Sequence, residues 1–494
     1  MIKYTSTRQL SIEEFKTPFY YGLDKTNRWA RLVEQIPWDD FTRIYAKALC
    51  EDFGRPALDA RVVIGSMIIK HKKGLSDEET IEEIKENPYL QFFIGYEEFS
   101  HKPPFDPSLF VTLRERLGID AFEELNRAFI KGVEKAGESK KPDQKKGKNN
   151  TKPKKPSSEQ TNKKGKLIID ASVAPQDIKF PTDLDLLNDV RENTERIIDE
   201  IWVPGPGKRK PVTYRRIARK DYLAVAKKKK KSTKEIRAAI RKQLNYNRRN
   251  IKTIKKMMSP ELGKPIPLGP RDLRTFWISQ EICRQQKQMY ETKSHKVSDR
   301  IVSLAQPYVR PIVRGKAGKR TEFGAKISAS VVNSYVFLDH LSWDAFNEST
   351  DLTDQVEVYN DRFGFYPEEV IADAIYGTRK NREYLKGLGI EFSGKALGRP
   401  PKLTEEEAKL KRKKRKAQAG LRNQIEGKFG EGKRKYDLDL VKAKTMRTSE
   451  SWIASVFFVM NIARWERVLF VPILNWLENF KERCEYRYKF LLSY

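Results

Sequence analysis

Residues 138 to 166, ESKKPDQKKGKNNTKPKKPSSEQTNKKGK, carry almost no apolar side chain, and the sequence on either side follows two different patterns. A stretch so rich in Lys, Pro, Asn and Ser cannot bury enough apolar surface to offset the entropy of ordering it, so it predicts a flexible basic linker. Residues 1–137 and 167–494 are accordingly read as separate domains.

The first part reads as helices. Ala57 to Lys73 is an apolar-periodic run closed by Gly74, and Ser76 with Glu79 makes a capping-box pattern that opens the next helix. Asp106 with Pro107 opens a third, LFVTLRERL, which Gly118 should end. The opening MIKYTSTRQLSIEEF has no apolar signal region, and the longest mainly apolar run, Trp452 to Ala463, is shorter than the roughly 20 residues a spanning helix needs. The expectation is a soluble, cytoplasmic protein.

Past the linker the period changes. LIIDASV, residues 167 to 173, is a short β-type run, and LDLLNDVRENTERIIDEIW is helical in pattern. Between Lys208 and Lys256, 21 basic residues face two acidic ones, Asp221 and Glu235. Ile236, Ile240, Leu244, Ile251, Ile254 and Met258 recur there at helical spacing, so much of the stretch should be helix. PYVRPIVRG, EFGAKISASVV and YVFLDHLSW then read as strands, the first two joined by a basic turn that includes Lys319 and Arg320. A helix in DLTDQVEVYNDRFG, a strand in EEVIAD, a helix in TRKNREYLKGLG, a short strand in IEFSG and long helices complete the chain. This order predicts an α/β (α+β) fold with mixed strand pairing, interrupted after its first strand by a helical insertion of about residues 185–305.

Two of the apolar strands end in an aspartate, LIID at Asp170 and EVIAD at Asp373. A carboxylate at the end of a buried strand needs a cap, an ion pair or a bound cation. Each aspartate could instead serve only the turn that follows it. A third acid stands in RNQIEGKFGEGKRKYDL: on a helix, Glu426 lies about 40° and Lys433 about 20° from Arg422, whereas Glu431 falls about 180° away. Gly427, Gly430 and Gly432 weaken that helix. Cys50, Cys283 and Cys484 and the four histidines are scattered, with no zinc or disulfide pattern. Three carboxylates in a chain of formal charge +31 suit magnesium or manganese, and two such ions can clamp the attacking and leaving oxygens of a phosphodiester. The net charge itself favours nucleic acid or an anionic membrane surface as partner.

The sequence resembles DDE-superfamily bacterial insertion-sequence transposases of the insertion-sequence-5 and 1182 type. PALDARVVIGSMIIKHKKGLSDEETIEEIKENPYLQFFIGY, with PFDPSLFVTLRERLG, is similar to the helical domain that opens these enzymes. IIDASVAPQDIKFPTDLDLLNDVRE, VIADAIYGTRKNREYLKGLGI and RNQIEGKFGEGKRKY are similar to the regions around the family's three catalytic acids, which puts those roles on Asp170, Asp373 and Glu426. Related transposases carry a Tyr, Arg, Glu, Lys signature around the last acid. Arg422, Glu426 and Lys433 keep its spacing, and Ala419 stands at the tyrosine position. The resemblance implies a ribonuclease H-like core, two Mg2+ (or Mn2+) ions held by the three acids, hydrolysis at transposon ends and transfer of the freed 3'-hydroxyl to target DNA. It also implies terminal inverted repeats as partner DNA, a homodimer or higher oligomer, and association with the nucleoid. A transposase-derived binder that no longer cuts, and a metal-dependent nuclease without strand transfer, are the alternatives.

DNA contacts are read from charge. SDEETIEEIKEN is too acidic to lie against phosphates, and the helix with Arg114 and Arg116 is the better end-reading element unless both helices only pack the domain. Arg422, Lys433, Lys319 and Arg320 are the other phosphate-binding candidates. The Lys208–Lys256 stretch either lines a DNA groove or is a solvated charged face. Trp277 is read as core in an amphipathic helix, with base stacking as the alternative.

Overall fold

The computed structural model describes residues 13–17, 22–49, 57–138, 163–206, 209–258, 266–313, 321–394, 397–398 and 404–491. The linker expected over 138–166 falls almost wholly outside them, and its last residue already opens the first strand.

Six helices come first: α1 (Arg28–Gln35), α2 (Trp38–Lys47), α3 (Ala60–Lys73), α4 (Asp77–Glu86), α5 (Pro88–Phe93) and α6 (Leu109–Glu138). Their ends are set by local chemistry. Gly74 closes α3 in the left-handed conformation, φ 68°, which costs a glycine little. Ser76 and Glu79 form the reciprocal capping box of α4, at 3.1 and 2.8 Å. Gly118 does not end its helix as expected. It kinks α6 at φ 63°, ψ −170°, and the helix resumes because Phe122, Leu125, Phe129, Ile130 and Val133 give the second half a buried stripe of its own.

Next come β1 (Lys166–Pro175) and four helices, α7 (Asp183–Ile201), α8 (Arg215–Ala226), α9 (Thr233–Met257) and α10 (Pro270–Thr292). These helices bury small apolar clusters of their own, one of them Ile197, Ile198, Ile201, Ile254 and Phe276. Their packing is also polar. Gln243 donates to the Ala218 carbonyl at 3.0 Å, Asn247 to that of Leu187 at 2.8 Å, and Asn250 to the Thr194 hydroxyl at 3.1 Å. Apolar periodicity alone could not have found that face.

The remaining elements are β2 (Arg310–Val313), β3 (Thr321–Val332), β4 (Tyr335–Ser342), α11 (Leu352–Phe363), β5 (Glu369–Ile371), α12 (Arg379–Gly387), β6 (Glu391–Phe392), α13 (Glu405–Lys435) and α14 (Met446–Leu491). They follow the predicted order and make a mixed α/β fold around one six-stranded sheet. β3 is antiparallel to β1, β2 and β4, while β5 is parallel to β1 and β6 parallel to β5. The path runs β2-β3-β1-β5-β6, with β4 also on β3.

The main core is continuous from Phe15 to Ala463, so the N-terminal helices and the sheet share it. α14 joins them. Phe458 meets Phe41 and Phe122, and the apolar run Trp452–Ala463 is buried throughout. Asn461, fully buried, accepts the Val336 amide at 2.9 Å and donates to the Val336 carbonyl at 2.7 Å and to Asn126 at 2.8 Å. No helix among the described residues is long and apolar enough to cross a membrane.

Replacing Asn461 by Ala leaves both Val336 backbone groups and the Asn126 amide oxygen without partners in a dry interface. Asn461→Ala is expected to lower stability by about 3 kcal/mol, read as a shift in the urea unfolding midpoint at unchanged slope.

Candidate active site

The ladder between β1 and β5 pairs Ile168 with Ile371. Asp170 and Asp373 each lie two residues beyond this pair, Asp170 still within β1 and Asp373 in the turn that follows β5, and the charge of Asp373 bears on Asp170. Asp170 does not end its strand, as LIID suggested. β1 runs on to Pro175, because Asp170 to Pro175 remain paired with β3 from Ala329 to Gly324. β5 does stop at Ile371, and Asp373 caps the 3-10 turn Ala374–Tyr376, accepting the Ala374 amide at 2.6 Å. Asp170 accepts the amide of Ala171 at 2.9 Å. Each aspartate therefore serves its local backbone, and each keeps a second oxygen for other work.

The third acid arrives on α13, which runs unbroken through its glycines. Its buried face, Gln418, Ile425, Phe429 and Gly432, lies inward, and Gln418 donates to Glu369 of β5 at 2.5 Å. Gly432 is needed for close packing, since a Cβ there would stand 3.0 Å from Leu438 and 3.2 Å from the Met460 sulfur. One turn apart on the outer face, Arg422 and Glu426 are joined at 3.1 Å, and the same guanidinium reaches Asp373 at 2.9 Å. Glu431 points elsewhere, to Arg467 at 2.7 Å and Lys428 at 3.6 Å. Lys433 is half-buried on the same helix, and Ala419 is exposed.

The electrostatics tie the acids together. Asp170 is pushed up to about 6, chiefly by burial, against the lowering effect of its bond to the Ala171 amide; the negative charges of Glu348, Asp373 and Glu426 raise it further. Glu348 was missed from the sequence. It lies in the short 3-10 turn Glu348–Thr350, where no strand or helix period marks it, and it is balanced by Lys326 of β3 at 3.1 Å. The hydroxyl of Tyr376 is buried near the same acids and has no hydrogen-bond partner among the described residues.

Among the described residues no three acid, histidine or cysteine side chains are drawn together closely enough to hold a metal ion. The donor chemistry nevertheless fits a hard cation: Asp170, Asp373 and Glu426 offer only carboxylate oxygens, and the guanidinium of Arg422 already places positive charge between two of them.

Other candidates are distributed differently. Arg114 is not available to DNA: at 5% exposure it is ion-paired with Asp77 and lies 5.2 Å from the centre of the Trp452 ring. A guanidinium on an amphipathic helix can cover an aromatic core as readily as it can face solvent. Arg116 is exposed on α6. Lys319 and Arg320 lie outside the described residues. Trp277 is 61% exposed on α10 and not core, because its neighbour Phe276 takes the inward position.

Residues 370–463 match the family described as Transposase DDE domain, and residues 18–116 match the family described as Transposase domain (DUF772). The first span holds Asp373, Arg422, Glu426 and Lys433. A curated relative, "Uncharacterized protein ORF8 in nfe locus" from Rhizobium meliloti, is 35% identical over 153 residues, which are 31% of this chain and 64% of the relative. The chain thus spans a little under two thirds of that relative's length. No solved structure matches.

The raised Asp170 has a consequence for stability. Its carboxyl binds a proton more tightly in the folded protein, at about 6, than at its ordinary value of 3.8, so folding loses stability as pH rises between those values and stays lower above them. Asp170→Asn removes that loss. With divalent ions chelated, the variant is expected to gain about 2 kcal/mol over the wild type between pH ~4 and pH ~8, measured by urea unfolding. An unchanged difference across that range contradicts the assignment.

Proposed function

We propose that this chain, which carries the domains of a DDE-type insertion-sequence transposase, cleaves DNA at the ends of its element and joins the freed strand to target DNA. The observation that supports the proposal is the convergence at the end of the β1–β5 ladder: past the Ile168–Ile371 pair β1 carries Asp170 and the next turn carries Asp373, and Arg422 of α13 bonds both Asp373 and Glu426. The strand order supports a ribonuclease H-like core. Three antiparallel strands, β1, β3 and β4, are followed by β5 and β6 parallel to β1, with β1 at the centre.

In this reading Asp170, Asp373 and Glu426 would hold two Mg2+ (or Mn2+) ions. Such ions supply an activated water at neutral pH and offset negative charge on the leaving oxygen. The protein's own part is placement. β1 carries Asp170, the capped turn after β5 carries Asp373, and α13 holds the third acid on the face opposite its buried residues Ile425 and Phe429. Arg422, bonded to Asp373 and Glu426, is positioned to turn to a phosphate oxygen instead. Water attack at a phosphodiester breaks its bond to the 3'-oxygen and leaves a free 3'-hydroxyl. That hydroxyl attacks a phosphodiester of the target and displaces its 3'-oxygen. The protein forms no covalent bond in either step. The partners in this reading are the terminal inverted repeats and target DNA, bridged by two or more copies of the chain.

Single substitutions Asp170→Ala, Asp373→Ala and Glu426→Gln are each expected to reduce divalent-dependent cleavage of DNA bearing the element's ends by more than about a hundredfold, with binding retained. Glu431→Gln, five residues along the same helix, is expected to keep cleavage within about tenfold, since Glu431 faces Arg467. Full cleavage by the Asp373 variant, or loss confined to the Glu431 variant, would sink the assignment. Joined products in the same reaction separate strand transfer from simple hydrolysis.

A further inference from the structure

The outer face of α9 carries charge that the acidic site does not use. α9 buries Ala239, Ile240, Gln243, Tyr246, Asn247, Asn250 and Ile254 against its neighbours, and at about 100° per residue these fall within an arc of roughly 120°. On the opposite side Lys234, Arg241, Arg248, Lys252 and Lys255 fall within about 60° of one another. All five are exposed. None forms an ion pair among the described residues, whereas cations on the flanks are engaged: Lys242 with Asp221 at 2.9 Å, and Arg249 over the rings of Tyr214 and Tyr246.

Like charges at positions three and four apart on a helix repel, so the stripe destabilises α9 slightly when nothing covers it. Its length is informative. From Lys234 to Lys255 it spans 21 residues, about 32 Å, close to the roughly 34 Å of one duplex turn. A partner must therefore present a line of negative charge of that length. Duplex DNA does so, with one charge per about 1.7 Å of axis. A membrane surface fits less well, since an interfacial helix needs a free apolar face and that of α9 is buried.

We propose that this stripe is a docking surface for the sugar-phosphate backbone of duplex DNA, independent of base sequence and separate from the acidic site. It rests on the reading that DNA is the substrate. It holds the duplex through point contacts along one line and leaves sequence selection to other elements.

The test uses the full chain with divalent ions chelated, so that cleavage does not interfere, and two unrelated duplexes of about 40 base pairs titrated between about 50 and about 200 mM salt. The triple variant Arg241→Gln, Arg248→Gln, Lys252→Gln removes three phosphate contacts, each worth about 0.9 in the log–log salt slope. Across that range the wild type should therefore lose about 40-fold more affinity than the variant, equally on both duplexes. The charge-keeping variant Arg241→Lys, Arg248→Lys, Lys252→Arg should retain the wild-type slope. Lys102→Gln, Lys131→Gln, Lys386→Gln, an equal charge change at exposed sites elsewhere, should shift it by less than about one unit. An unchanged slope in the first variant, or an equal shift in the last, overturns the inference and leaves the cleavage reading standing. If the wild type shows no salt-sensitive binding to either duplex, both fall.

Discussion

β1 is paired on both edges, antiparallel to β3 over Ile168–Pro175 and parallel to β5 over Lys166–Ile168, and that double ladder leaves its side chains no freedom of register. Shifting either ladder by one residue would turn Asp170 to the opposite face of the sheet. The β3 side is locked sterically as well: a Cβ on Gly324 would stand 2.1 Å from the Ala174 carbonyl oxygen, so only glycine permits the approach. The parallel side is short, three residue pairs, and it ends with β5 opposite Ile168, two residues before Asp170 on β1 and two before Asp373 in the turn that follows β5. The closeness of the two aspartates is thus a property of the backbone, and their charge must be managed by whatever surrounds them.

That management explains an acidic site in so basic a chain. Asp170 is raised first by burial, and the negative charges of Glu348, Asp373 and Glu426 add to that. Arg422 between two of the acids and Lys326 beside a third relieve part of it. A divalent cation would relieve more, because it brings two charges to one point where a guanidinium spreads one over a plane. The net charge of +31 nevertheless overstates the DNA-facing surface. Lys70 and Arg114 are buried around Asp77 and Trp452, Arg191 is buried against Glu195, and Arg362 holds Asp339 and Glu123. Arg191 stays within α7, and the other three join elements of the protein to each other.

The order of elements after the linker was legible because strand and helix periods there are long and clearly punctuated. The capping box of α4 and the phase of α13 were legible for the same reason: both depend on neighbours three to eleven residues apart. What escaped was set by distant contacts. Asp170 reads as a strand end in LIID, yet β3 continues to pair beyond it. Arg114 reads as a free cation, but Asp77 and Trp452 lie on other helices that enclose it. Trp277 reads as core by hydropathy, while the inward face of α10 runs through Phe276, Ser279, Ile282 and Met289 and leaves Trp277 beside it. Glu348 has no local pattern at all and becomes part of the site only when the fold brings its turn beside β1. Gly118 could be read only as a stop, since the second half of α6 gains its stability from α2 and α14.

α13 shows how one helix can serve both the fold and the site. Along its length it ties Gln418 to Glu369 of β5, Arg422 to Asp373, and Glu431 to Arg467 of α14. Glu431 and Glu426 are five residues apart, about 140° around the axis, so they look to different partners although both are glutamates in the same basic run. The first fastens α13 to the helix that holds the N-terminal core. The second is exposed and, among the described residues, ion-paired with Arg422, so its carboxylate stays available to a ligand while its helix is held by the other face. Rigid anchoring on one face therefore makes the acid on the other face positionally reliable, and the glycines that weaken the helix in isolation are tolerated because the anchors, and not intrinsic propensity, hold it in phase.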